Sequence, residues 1–138
     1  MAYSEMVVVA ETKYKHVNNV ELYDYLDKAR KDWYRYCLLI GAEGVMVNIN
    51  VSYKKEVFLH DKLIIRTNME RLGNTSFTLK QTIMNEMKEL IVSAESVLAV
   101  IDRQSRKKIT LPLEVRNLFH YDGELNLEDL TAKNKKSY

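Results

Sequence analysis

The sequence predicts an α+β fold in which a long helix lies on an antiparallel sheet. Two features predict this fold. A short apolar strand precedes a single long amphipathic helix, and about five further strands, joined mostly by tight turns, follow the helix. Strands joined by tight turns pair antiparallel, because a parallel pair needs a crossover of a dozen or more residues. The helix, at about 20 residues and 1.5 Å per residue, is about 30 Å long and therefore needs a broad sheet beneath it.

The size and composition of the chain predict one globular domain. It has 138 residues, of which 46% are hydrophobic and 29% are charged, as is usual for a globular protein. We expect a single domain over residues 1–138, with its core at about residues 5–118 and a polar tail at 120–138. The formal net charge of +2 is too balanced to indicate a nucleic-acid partner.

The cysteine content and the hydropathy pattern bear on the cellular location. Cys37 is the only cysteine, which excludes an intrachain disulfide and predicts a small core side chain on the helix. The first residues have no cationic start and only a five-residue apolar run, so we expect neither a signal peptide nor a membrane anchor. No stretch approaches the roughly 20 apolar residues that span a bilayer. A cytoplasmic location without a membrane partner is therefore expected.

The first strand and the helix are separated by a polar junction at residues 12–19. A run of valines predicts the strand at residues 6–11. Apolar residues then recur in steps of three and four, which predicts a helix whose buried face carries Val20, Tyr23, Leu26, Ala29, Trp33 and Cys37. Asn18 is expected to cap this helix, with Glu21 three residues later in a capping-box arrangement, and Gly41 is expected to end it.

The remaining segments supply the sheet. Strands are predicted at residues 44–53, 61–71, 76–85, 89–102 and 108–111. Alternation places Leu63, Ile65, Thr67 and Met69 on one face, and likewise Phe77, Leu79, Gln81 and Ile83. A short helix at residues 113–119 follows Pro112, and the residues after Ala132 are expected to lack fixed structure.

The junction ends in the sequence KHVNN at residues 15–19, directly before the helix. The first N–H groups of a helix have no intrahelical acceptor, and the helix dipole is positive there. The N–H groups of Asn18, Asn19 or Val20 could therefore receive the negative charge that develops on a carbonyl oxygen. One of the two asparagines is also expected to cap the helix, a role that does not exclude the first.

Five segments in the same order resemble one enzyme family. They are HVNN at 16–19, LDKAR at 26–30, SYKKEVFLHDKLIIRT at 52–67, GNTSFTLKQTI at 73–83 and VIDRQSRKKITLP at 100–112. Over roughly residues 5–118 the chain resembles the hotdog-fold thioesterases of the 4-hydroxybenzoyl-CoA thioesterase type, the group that includes acyl-ACP thioesterases. The resemblance implies a long central helix wrapped by a curved antiparallel sheet of five to six strands.

The resemblance also implies an activity and a catalytic set. Such enzymes hydrolyse acyl thioesters of coenzyme A or acyl carrier protein, as homodimers or homotetramers whose sites lie where two subunits meet. The family's oxyanion donor matches the backbone N–H of Asn19. The family's catalytic Asp falls at Thr12, so the usual carboxylate is absent. His16, Thr12 and Glu11 are the candidates to position or deprotonate the attacking water.

Further residues are candidates for substrate binding. They are Asn18, His60, Arg71, Thr75 and Ser76. In relatives, the region after the turn at residues 73–74 helps to hold the pantetheine or nucleotide portion. A turn role for His60 and a solvated strand-end role for Arg71 stay open as structural alternatives. Asp27 is expected to pair with Arg30 or Lys31 at helical spacing.

These observations favour an acyl-CoA or acyl-ACP thioesterase without a metal. The three histidines lack the spacing of metal ligands, and no cofactor is expected beyond the coenzyme A or phosphopantetheine of the substrate. One alternative is a non-catalytic hotdog module that binds acyl-CoA or acyl carrier protein without cleaving it, since Thr12 replaces the usual Asp. Another is a hydratase on the same fold, which would need an Asp and His pair that the sequence does not place.

Overall fold

The computed structural model describes residues 1–128, which form a five-stranded antiparallel sheet with helices packed on it. In chain order the elements are β1 (Tyr3–Val9), α1 (Asn19–Ala29), α2 (Lys31–Leu39), β2 (Ala42–Tyr53), β3 (Lys62–Leu72), β4 (Ser76–Asn85), β5 (Leu90–Asp102) and α3 (Leu113–His120). The strand order is β1-β3-β4-β5-β2. The predicted α+β class with an antiparallel sheet is confirmed.

Alternation along the strands separates a buried inner face of the sheet from an outer face. The predicted apolar sets on β3 and β4 are buried: Leu63, Ile65, Thr67, Met69, Phe77, Leu79, Gln81 and Ile83. The intervening residues form the outer face, where Lys80 lies opposite Glu95. The helices cover the inner face, because that face carries the apolar surface that water would otherwise contact.

The helix differs from the prediction in continuity and in its buried face. Arg30 interrupts it, with φ −83° and ψ −8°, so two helices of 11 and 9 residues replace a single one. Next to the interruption, the Leu26 carbonyl accepts both from the Arg30 N–H at 3.2 Å and from the Gln81 side-chain amide at 3.0 Å. Val20 is 77% exposed, whereas Leu22 is buried, so the apolar face starts at Leu22.

Two strand predictions also need correction. β1 begins at Tyr3 and ends at Val9, earlier than the predicted strand at 6–11. Residues 108–111 do not form a strand; only an isolated bridge joins Ile101 and Lys108. The reason is that the Leu111 N–H donates instead to Asn74 in the β3–β4 turn, at 2.9 Å. The predicted helix after Pro112 is present as α3.

The packed region extends on both sides of residues 5–118. Ala2 is fully buried, and its N–H donates to the Leu118 carbonyl at 2.8 Å. The Leu125 N–H donates to Tyr3 at 2.7 Å, and Leu125 packs against the core. The first part of the expected polar tail, up to residue 128, thus contributes apolar contacts. The expectation for the residues after Ala132 lies outside the described residues.

Cys37 lies on α2 inside the core, as the sequence predicts. Burial raises the pKa of its thiol to about 11, because a thiolate is poorly solvated among apolar side chains. Gly41 then ends the helical segment with a φ of +85°, a conformation that glycine adopts without strain.

Candidate active site

The junction between β1 and α1 is tied at both ends to the connection between β2 and β3. The Ala10 N–H donates to the Asp61 carbonyl and the His60 N–H donates to the Ala10 carbonyl, each at 2.8 Å. At the other end the Val17 N–H donates to the Val57 carbonyl at 2.7 Å. These bonds hold the start of α1 at the end of the sheet formed by Val9 and its partner Lys62, which we call the junction end.

Asn18 and Glu21 form the predicted capping box at the start of α1. The Glu21 N–H donates to Asn18 Oδ1 at 2.8 Å, and the Asn18 N–H donates to Glu21 Oε1 at 3.0 Å. The cap therefore satisfies the third N–H of the helix and leaves the first two, those of Asn19 and Val20, outside the box. Within residues 1–128, the Asn19 N–H has no acceptor, so it is available to a substrate oxygen.

A carboxylate stands beside the Thr12 hydroxyl. Thr12 Oγ1 donates to Glu21 Oε1 at 2.9 Å and accepts from the Tyr14 N–H at 3.2 Å. Thr12 thus has a carboxylate within hydrogen-bonding distance, that of Glu21 in the first turn of the helix. The sequence indicated Glu21 only as a capping residue. The signal that could have indicated the contact with Thr12 is a carboxylate in the first turn of a helix whose preceding loop lacks the expected Asp.

The candidate catalytic residues line two clefts that both border the first turn of α1. Thr12, Glu11 and Glu21 line one cleft of about 570 Å³ together with Asn18. His16 and Asn19 line a second cleft of about 300 Å³, whose further lining includes Tyr53. The Tyr53 hydroxyl donates to the Asn19 carbonyl at 3.3 Å, and burial, followed by the nearby Tyr23, raises the pKa of Tyr53. Asn19 thus shares a cleft with His16, whereas its neighbours Asn18 and Val20 line the cleft of Thr12 and Glu21.

Glu11 reaches the same cleft as Thr12 because the chain is no longer a strand there. In a regular strand neighbouring side chains point to opposite faces, which would separate the two. β1 ends at Val9, and the irregular backbone after it places both side chains in the cleft lining. The side chain of Glu11 makes no hydrogen bond within the described part of the chain, and its own N–H lies 3.4 Å from the Tyr25 hydroxyl.

The structure separates the predicted substrate-binding residues from one another. His60 lies at the junction end with a φ of +73°, in a turn in which the Phe58 N–H donates to Asp61 Oδ2 at 2.9 Å. Thr75 and Ser76 lie at the opposite end of the sheet, next to the β3–β4 turn. The distance along β3 between the two ends is about 30 Å at 3.3 Å per residue. Within one subunit Thr75 and Ser76 therefore do not join the α1 N-terminus, whereas His60 lies at the same end of the sheet as that N-terminus.

Arg71 is engaged on the outer face of the sheet. Its Nη2 lies 3.4 Å from Glu95 Oε2 in an exposed ion pair. Like Thr75 and Ser76, it is near the end of the sheet away from the junction. The structural alternative of a solvated strand-end charge matches this placement.

Two further features of the structure concern metal-ligand clusters and membrane-spanning helices. Among residues 1–128, no cluster of three or more His, Cys, Asp or Glu side chains is placed to hold a metal ion. None of the helices in the same residues is long and apolar enough to cross a bilayer.

Comparison with known proteins connects this geometry to a family. The sequence profile of the thioesterase-like superfamily matches residues 10–119. The long-chain acyl-CoA thioesterase FadM of Escherichia coli is 29% identical over 110 residues, which cover 75% of this chain and 83% of that protein.

Solved structures share the fold. A DHNA-CoA thioesterase from Staphylococcus aureus superposes with a TM-score of 0.72 at 21% identity, over 100% of this chain and 97% of the other. A 4-hydroxybenzoyl CoA thioesterase mutant complexed with 4-hydroxybenzoyl CoA also superposes with a TM-score of 0.72, at 17% identity, over 86% of this chain and 99% of the other. The hotdog fold implied by the sequence motifs is confirmed.

Proposed function

We propose a long-chain acyl-CoA substrate for this chain, which belongs to the thioesterase-like superfamily and is a thioester hydrolase. The observation that carries the proposal is the free Asn19 N–H in the first turn of α1, which both clefts border. FadM, a long-chain acyl-CoA thioesterase, supports the choice of acyl group. The alternative of a non-catalytic binding module is not favoured by these relatives.

The carbonyl oxygen of the thioester is proposed to bind the Asn19 N–H. Attack on a thioester converts the carbonyl oxygen into an oxyanion, and an N–H at a helix N-terminus stabilises that charge without reorganisation. A single donor of this kind typically lowers the barrier by about 3 kcal/mol. The capping box fixes the first turn, so the donor is already oriented before the substrate arrives.

Glu21 is proposed to be the base that activates water. Thr12 donates to Glu21 Oε1 and accepts from the Tyr14 N–H, which leaves one lone pair on its oxygen with which it can orient a water in the cleft. The water oxygen forms a bond to the carbonyl carbon, and its proton passes to Glu21. The tetrahedral intermediate then collapses, the carbon–sulfur bond breaks, and the departing thiolate takes the proton from Glu21. The products are a carboxylic acid and coenzyme A.

His16 is proposed to contact the acyl-thioester group from the second cleft. Within the described residues its side chain makes no hydrogen bond or ion pair, so its ring nitrogens are available to a substrate. An imidazole can donate a hydrogen bond from one ring nitrogen and accept one at the other. His16 is therefore the competing candidate for the base, and Glu11, which shares the cleft of Thr12, is a third.

The proposed function also specifies the carrier of the acyl group. Coenzyme A, or the phosphopantetheine of an acyl carrier protein, enters as part of the substrate, and no separate cofactor takes part. A cytoplasmic location remains a prediction.

Release of free thiol from a panel of acyl-CoA thioesters tests the function. We expect kcat/KM to rise from butanoyl- to palmitoyl-CoA. Acyl-ACP substrates with the same acyl chains are measured for comparison. A calorimetric binding measurement is run in parallel. Tight binding of palmitoyl-CoA without thiol release would contradict the proposal and support the non-catalytic module.

A homodimer or homotetramer is proposed for the assembly. In the described part of the chain β1 and β2 are the sheet edges, and β2 is 12 residues long with Val47 57% exposed at a bulge. A long edge strand with exposed apolar side chains favours pairing with a second copy. We expect sedimentation velocity at micromolar concentration to show a dimer or a tetramer. An active monomer would contradict this.

A further inference from the structure

The hydrophobic core consists of two apolar clusters. One lies under α1 and includes Leu26, Ile65 and Ile83; the other lies under α2 and includes Trp33, Met69 and Leu79. Three buried polar side chains, Arg30, Thr67 and Gln81, lie at the boundary between the clusters, and we call them the polar layer. The boundary coincides with the interruption of the helix at Arg30.

The polar layer is a connected hydrogen-bond chain that ends on the backbone of α1. Arg30 Nη1 donates to Gln81 Oε1 at 2.9 Å. Gln81 Nε2 donates to Thr67 Oγ1 and to the Leu26 carbonyl, each at 3.0 Å. Both oxygen and nitrogen of the Gln81 amide are therefore used, which fixes its orientation. The last turn of α1 is thereby attached to strands β3 and β4.

The polar layer is a poor device for stability alone. Arg30 is 0% exposed, its Nε has no hydrogen-bond partner among residues 1–128, and the side chain of Asp27, its ion-pair partner at 3.3 Å, is 60% exposed. Burial of a charge has a desolvation cost that a partly solvated ion pair offsets only in part, and apolar replacements of such groups are often neutral or stabilising. A buried polar group can instead select one arrangement of the packed elements.

We propose that the polar layer positions α1 along the sheet and so sets where the Asn19 N–H lies; this inference rests on the proposed function. α1 is 11 residues long, about 16 Å, and carries Asn19 at one end and the attachment of Leu26 near the other. Apolar side chains permit small shifts of a helix on a sheet, whereas the hydrogen bond from Gln81 to the Leu26 carbonyl forms at only one position of α1 along the sheet. Arg30, Thr67 and Gln81 are thus positioning residues.

Thr67→Val tests the proposal because it removes one of the two acceptors of Gln81 Nε2, the hydroxyl that helps to orient the amide toward the Leu26 carbonyl, with little change of shape. We expect kcat on palmitoyl-CoA to fall about tenfold with KM changed less than twofold, since a small misplacement of a reacting group lowers the rate more than the binding. Thr67→Ser restores the hydroxyl and should restore kcat. Thr67→Ala serves as the second variant should Thr67→Val fail to fold.

A matched control separates positioning from stability. Leu98→Val lies in the α2 cluster and is expected to lower Tm by an amount similar to Thr67→Val while leaving kcat within twofold. If kcat falls in Leu98→Val as much as it does in Thr67→Val for the same decrease in Tm, the loss of activity reflects stability and the proposal is overturned.

A readout independent of turnover distinguishes failure of this inference from failure of the proposed function. The ¹H–¹⁵N resonance of Asn19 should shift in Thr67→Val and return in Thr67→Ser. An unmoved Asn19 resonance in Thr67→Val and Thr67→Ala would refute the positioning role, whether or not the wild-type chain hydrolyses palmitoyl-CoA.

Discussion

Asn19→Pro is expected to lower kcat by about 10²- to 10³-fold, because proline has no N–H to stabilise the oxyanion. The substitution is compatible with the fold. Asn19 is the first helical residue, where proline is favoured, and Asn18 before it has φ −84° and ψ 171°, the extended conformation that precedes proline. Steady-state thiol release from palmitoyl-CoA, with Tm measured on the same sample, checks the result.

Asn19→Ala is the control for the side chain. It keeps the backbone N–H, so we expect its kcat to stay within threefold of the wild type. If Asn19→Pro folds with an unchanged Tm and retains full activity, the oxyanion donor is not at this position and the proposed mechanism is wrong.

Glu21→Gln is expected to lower kcat by about 10²-fold or more, the usual contribution of a general base. The glutamine carbonyl can still accept from the Asn18 N–H and the Thr12 hydroxyl, so the capping box and the Tm should be preserved. The same thiol-release assay at saturating substrate measures the effect on kcat.

Two comparison variants decide between the candidate bases. Glu11→Gln changes a carboxylate in the same cleft that makes no side-chain hydrogen bond in the described residues, and it should lower kcat less than threefold. His16→Ala is expected to lower kcat about tenfold through lost substrate contacts. A larger loss in either variant than in Glu21→Gln would transfer the role of base to that residue.

The strands and the helix cap could be predicted because their signals are local. Period-two alternation located β3 and β4 to within a residue, and the spacing of Asn18 and Glu21 predicted the capping box. The contact beside the interruption at Arg30 could not be predicted, because Gln81, which donates to the Leu26 carbonyl, is 55 residues from Leu26 along the chain. The predicted strand at residues 108–111 was wrong because its backbone pairs with a distant turn.

Only the part of the candidate site that depends on local signals could be predicted. The junction and Asn19 follow from the motif and the helix start, both readable along the chain. The contact between Thr12 and Glu21 depends on the path of the loop between them. The distance of Arg71 and Thr75 from the junction depends on the direction and register of β3. Neither property is encoded by spacing alone.

The sequence by itself determined the antiparallel architecture, the helix start and the family, since each depends on periodicity, capping or an ordered set of motifs. Only the tertiary structure decided that a carboxylate lies beside Thr12, that two clefts border the first turn of α1, and that a polar layer divides the core. Those properties arise from side chains far apart along the chain, whose contacts exist only after the sheet has brought its strands together.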